Sequence, residues 1–149
     1  MGRDGTGEGT DVMHQGTTSR IELGLMVDGQ CTLPVPSTFR YLPAQPFAVH
    51  LQMTSGVEVI EWTFSRDLLT QGLERPAGLG DVRVHPCTAQ DGTQVVMLEL
   101  SSPNGRAVLQ VPAGELAQFL AATYCSVPVG SETEHLDVDA ALAELLAGC

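Results

Sequence analysis

The side chains here that could hold a metal or move a proton are four cysteines, four histidines and eighteen carboxylates in 149 residues. Cys31, Cys87, Cys125 and Cys149 are widely spaced. A zinc ribbon needs two close pairs, because each pair supplies half of a tetrahedral site, and no C-x-x-C pair is present. His85 and Cys87 are two apart and could face one metal from a strand. Without a second pair they read as a strand-end histidine and a small thiol. Acyl-transfer chemistry wants a serine on a sharp turn beside a base, and no G-x-S-x-G elbow occurs. His14 lies in a glycine-rich leader, His50 on the polar face of a strand, and His135 before a helix with no partner to mark it. The chain contains no lysine, which removes Schiff-base chemistry and the lysine of a P-loop. Gly78-Leu79-Gly80-Asp81 looks like a phosphate loop, but a strand follows it rather than a long helix, so it reads as a turn. Glu61, Asp67 and Asp81 are scattered acids, the ordinary case at this charge. The sequence therefore assigns no catalytic, cofactor-binding or metal-binding residues.

Composition narrows the partners. The net charge is −11 and all seven basic residues are arginine. Nucleic-acid binding is driven by basic side chains that release phosphate counterions, so this balance disfavours it. It equally disfavours an anionic membrane surface. With 43% hydrophobic residues the chain can bury a core without metals or disulfides. No apolar run reaches the roughly 18 residues of a spanning helix, and no signal peptide is read, so a cytoplasmic location with reduced thiols is expected.

The elements that must position these residues follow from periodicity. Residues 1–18 are glycine- and acid-rich and read as a flexible tail, with one domain over 19–149. Ile21, Leu23, Leu25 and Val27 alternate with polar or small residues, the period of a half-buried strand. Pro34 and Pro36 open a second strand running to Tyr41. Phe47, Val49, Leu51 and Met53 form a third, and Ser55-Gly56 turns it into a fourth that carries Ile60, Trp62 and Phe64 on one face. Ser65 is a suitable N-cap for a short helix with Asp67 in its first turn, Leu68, Leu69 and Leu73 inward, and Gly72 at its end. Strands about Val82–Val84, Val96–Leu100 and Ala107–Val111 follow, the last two joined by an Asn104-Gly105 turn of expected type I′. Leu116, Phe119, Leu120, Thr123 and Tyr124 form a helical stripe after Pro112, and Asp137 caps a last helix through Leu146. The expected fold class is α+β: an antiparallel curved sheet or open barrel of about seven strands with three helices. Within it Trp62 should be core, while Arg66 and Asp67 should form a charged pair facing solvent.

Ordered blocks along the chain resemble the SsgA-like proteins of filamentous actinobacteria. They are Val35-Pro36 with Phe39-Arg40-Tyr41; Pro46 to Val49; Glu61 to Leu69; Pro76-Ala77-Gly78 with Gly80 to Val84; Leu98 to Pro103; Pro112-Ala113-Gly114 with Phe119-Leu120; and Asp137 to Ala140. Gln45 stands where the family usually has Asp, and Ser65 where Ala is frequent. The resemblance implies a small protein without catalytic activity, acting in sporulation, septation and cell-wall remodelling. It implies a whirly-type fold and a homo-oligomer, with a trimer as the family's assembly. It implies recruitment to the cell septum, and at least one branch of the family helps bring the tubulin-like division protein FtsZ to future septa. FtsZ, wall-synthesis proteins and other SsgA-like proteins are thus the expected partners, and Glu61, Arg66 and Asp67 are the candidate contact residues. Two other readings stand beside this one. A single-stranded nucleic-acid binder rests on fold analogy and needs a basic groove with stacking aromatics. A small metal-dependent enzyme would use His85 and Cys87.

Overall fold

The structure, a computed structural model, describes residues 16–28 and 31–135. The elements run β1 (Thr17–Met26), β2 (Thr32–Tyr41), β3 (Ala48–Ser55), β4 (Glu58–Ser65), α1 (Arg66–Gly72), β5 (Val82–Thr88), β6 (Gln94–Ser102), β7 (Gly105–Pro112), α2 (Ala113–Ser126) and α3 (Glu132–His135). The seven strands form one antiparallel sheet in the order β4-β3-β2-β1-β7-β6-β5, curled into a half-barrel against the helices. The fold class read from the sequence is the observed one. The first strand already pairs at Thr17 and Thr18, with Tyr41 and Arg40. The helix expected from Asp137 lies outside the described residues.

The sheet is built from long local ladders joined by short ones. Strands β1 and β2 pair from Thr17↔Tyr41 to Met26↔Thr32, and β3 and β4 from Ala48↔Ser65 to Ser55↔Glu58. In contrast β2 and β3 pair only over Ser37–Arg40 with His50–Met53. The seam between β1 and β7 is shorter still, Gly24↔Gln110 and Leu25↔Leu109. Pro34 and Pro36 explain where the β2–β3 ladder stops. They are two apart, so their missing N–H groups lie on one edge of β2, and β3 begins to pair just beyond them.

Alternation sends one face of each strand into the core. Ile21, Leu23, Phe39, Tyr41, Val49, Leu51, Phe64, Leu98, Leu109 and Val111 are buried there, with Leu116, Phe119 and Leu120 of α2 packed over them. Phe39 meets Phe119 tilted at 56°, with ring centroids 5.7 Å apart. The expected core face of β4 is only partly sealed. Phe64 is buried, Trp62 is half-buried and stacked on it (6.3 Å, 9°), and Ile60 is exposed. The reason is position: β4 is a sheet edge, and among the described residues no element covers its outer end. Phe47, expected to face inward, sits exposed before β3 begins.

Two turns differ from expectation in mechanism. Ser102 pairs with Gly105, so the β6–β7 loop is Pro103-Asn104. Proline fixes φ near −65°, and a type I′ turn needs positive φ at that place, so this hairpin cannot use it. Gly72 does end α1, but by close approach rather than by positive φ. A Cβ there would overlap Val84 Cγ1 of β5.

Candidate functional site

The residues singled out in the sequence separate into a buried node and an exposed edge. Ser65 caps α1 as expected, its Oγ accepting from the Leu68 N–H at 3.2 Å. That cap starts the helix at Arg66 and turns its side chain inward. Arg66 is only 2% exposed. This corrects the expectation that Arg66 faces solvent and offers its charge to a partner.

The burial of Arg66 is compensated on every side. Nη1 donates to the carbonyls of Thr123 (3.2 Å) and Val127 (2.9 Å), where α2 ends. Nη2 donates to Glu132 Oε2 at 3.0 Å in an ion pair whose acidic partner is 18% exposed. The guanidinium carbon lies 4.0 Å from the centroid of the Tyr124 ring and 5.0 Å from that of Tyr41. Each ring is itself held. Tyr41 donates to the Pro46 carbonyl at 2.9 Å, and Tyr124 donates to Thr70 Oγ1 at 2.7 Å because the Thr70 hydroxyl proton already goes to the Arg66 carbonyl. Burial raises the Tyr41 hydroxyl above its usual range, with Arg66 opposing. The Glu132 carboxylate is held below its ordinary range by its own backbone N–H, then by the Gly130 N–H and Arg66. The arrangement ties α1 to the end of α2 and to α3. It is a structural clamp.

Glu61 and Asp67 are exposed. Asp67 accepts from Gln71 Nε2 one helical turn on, at 2.6 Å. Glu61 stands on the outer face of the sheet opposite Gln52. It lines a shallow polar groove with Arg40, His50 and Thr63. His50 is not merely solvated. It is bonded through Nε2 to Gln45 Oε1 (2.6 Å), to which Nε2–H donates, and through Nδ1 to Thr63 Oγ1 (3.2 Å). Gln45 and Thr63 thereby orient this histidine.

Backbone bonding on β4 has a definite phase. The Arg66 N–H donates to Phe47 O at 2.8 Å, continuing the β3–β4 register by one step. Antiparallel pairs alternate between bonded and non-bonded, so Phe64, Trp62 and Ile60 bond β3 and the amides of Val59, Glu61 and Thr63 point away from the sheet.

The metal-binding reading finds no geometry. Among the described residues no three His, Cys, Asp or Glu side chains stand close enough to hold an ion. His85 instead lies 3.8 Å from Glu99, which also accepts from Arg106 at 2.8 Å, and the Cys87 thiol lies 3.7 Å from the Thr88 carbonyl. Gly78 and Gly80 form the expected turn, both with positive φ (95° and 76°). No helix among the described residues is long and apolar enough to cross a membrane.

Comparison with known proteins fits this architecture. The family model for Streptomyces sporulation and cell division protein, SsgA, matches residues 35–132, from Val35 within β2 through Glu132 of the clamp. A sporulation-specific cell division protein SsgB of Frankia casuarinae is 46% identical over 138 residues, covering 92% of this chain and 96% of its own. A solved SsgB structure, connected with longitudinal cell division during sporulation of Streptomyces coelicolor, superposes with TM-score 0.80 at 45% identity, over 83% of this chain and 98% of its own. The crystal structure of an SsgA-like sporulation-specific cell division protein from Thermobifida fusca gives TM-score 0.77 at 34% identity, over 91% and 98%. The family model over residues 35–132, the 46% identity over nearly the whole of both chains and the shared fold place this chain in the SsgA family of sporulation and cell division proteins.

Proposed function

We propose that this protein is a non-catalytic adaptor in sporulation-specific cell division, working at the septum through protein–protein contact. The observation that carries the reading is the 46% identity to a sporulation-specific cell division protein across nearly the whole of both chains. The geometry supports the adaptor part. The residues with chemical potential are spent on architecture, as Arg66 is, or tied to neighbours, as His50 and His85 are. The partners proposed are the tubulin-like division protein FtsZ, wall-synthesis proteins or another SsgA-like protein. Self-association, as the family's trimer implies, would present one surface several times and raise avidity without new contacts. Of the three candidate contact residues only Glu61 and Asp67 remain available, because Arg66 is enclosed.

Deletion of the gene followed by imaging of sporulating hyphae tests the reading. Missing or misplaced sporulation septa are expected, restored by the wild-type gene. Normal septa and normal spores would refute it.

A further inference from the structure

The two edges of the sheet are finished differently. At the β5 edge the outward positions are Val82, Val84, Pro86 and Thr88. Val84 exchanges both backbone bonds with Ala77 (2.8 and 2.9 Å), and Pro86 has no N–H. That edge is closed to a further strand. At the β4 edge the outward amides of Val59, Glu61 and Thr63 are bonded by no neighbour among the described residues. The strand Glu-Val-Ile-Glu-Trp-Thr-Phe-Ser has no Pro, no Lys, no Gly and no bulge. Apolar side chains on it and in the turn before it stand open: Val57 of the turn is 100% exposed, and Val59 and Ile60 of the strand are 55% and 40% exposed. Natural sheets protect such edges unless they are used.

We infer that β4 is an acceptor edge for β-strand addition, and that its occupant is an extended partner segment of alternating basic and apolar residues. The inference rests on the adaptor reading and gives it a surface. Bonding is supplied by Val59, Glu61 and Thr63, a ladder of three residues two apart. Specificity is supplied by the two faces. On the core side an apolar residue of the partner would meet Ile60 and Trp62. On the outer side a basic residue would meet Glu61, in a chain whose net charge is already −11. The same acids argue against a second copy as occupant. Antiparallel pairing of β4 with itself about its centre would set the two Glu61 carboxylates against each other, with no cation on the strand to offset them.

The test uses the full chain and a short fluorescein-labelled peptide of alternating Val and Lys. Binding is followed by anisotropy, and amide hydrogen exchange locates it. The peptide should slow exchange at Val59, Glu61 and Thr63 and not at β5. Glu61→Lys should weaken binding by roughly tenfold or more. Thr63→Pro should do the same with a melting curve matching that of Thr63→Ala, since both lose the hydroxyl bonded to His50, while the Thr63 amide faces away from the sheet and proline is tolerated there. Glu74→Lys, an equal charge change at an exposed site away from β4, should leave binding intact. Protection elsewhere, indifference to Glu61→Lys, or a dimer of the chain that Thr63→Pro dissolves would overturn the inference. In the deletion strain, Thr63→Pro should fail to restore septa. If it restores them fully while the null strain is defective, the edge is not the docking surface and the division role stands.

Discussion

A single arginine decides how the surface of this protein is to be read. Arg66 lies beside Asp67 in sequence, yet one is enclosed and the other exposed. The side-chain hydrogen bonds that satisfy it run to residues 57 to 66 positions away, and one of its two rings comes from β2, so nothing in the local pattern could reveal its burial. What the sequence did show was an arginine that the helix pattern did not demand. Arg66→Ala should cost about 3 kcal/mol of stability, since two carbonyls lose a charged donor inside the protein. Arg66→Lys should also destabilise, because an ammonium can neither fork between Val127 and Glu132 nor lie flat between two rings. Asp67→Ala should change stability by less than about 1 kcal/mol. Urea melts of the three variants check this. The clamp also has a pH signature. The folded Glu132 carboxyl sits below its unfolded value, so its contribution is complete above the unfolded pKa and is lost as pH falls through the folded one. Unfolding midpoints across the acid range should therefore fall less steeply in Glu132→Gln than in the wild type.

At the scale of elements, the strands and α2 were legible because each carries its own period, and Ser65 because a cap is a local device. Ser65→Ala should cost about 1 kcal/mol. Contacts between elements were less legible. Gly72 reads from sequence as an ordinary helix terminator, but its real constraint is the Val84 side chain of β5. Gly72→Ala should destabilise by about 1–3 kcal/mol, and Gly72→Ala combined with Val84→Ala should recover part of that loss. Thermal melts of the double-mutant cycle measure the coupling. Trp62 shows the same limit from the other side. It shares a strand face with Ile60 and Phe64, which predicts a core position, yet an edge strand has only one neighbour and leaves it half-covered. Strand order, which the sequence does not contain, separates a core tryptophan from a surface one.

Across the whole molecule, the family was legible in ordered blocks, while the mechanism was not, because most motif residues serve the fold. Charge remains the most general constraint on partners. An oligonucleotide should show no binding to the purified protein at moderate salt, measured by anisotropy; tight binding with a steep salt dependence would revive the nucleic-acid reading. The thin seams in the sheet carry a different implication, about how the chain folds. Strands β1 and β2, β3 and β4, and β5 through β7 each pair with sequence neighbours over long ladders, whereas the β1–β7 seam rests on two residue pairs. Hairpins close over short loops and at little entropic cost, so these three units can form early and independently. Docking them across the seam, with α2 laid over the joint, is the late and non-local step. Partial opening of the native protein should then run along the β1–β7 seam, and the seam amides of Gly24 and Gln110 should exchange before those at the centre of the β6–β7 ladder.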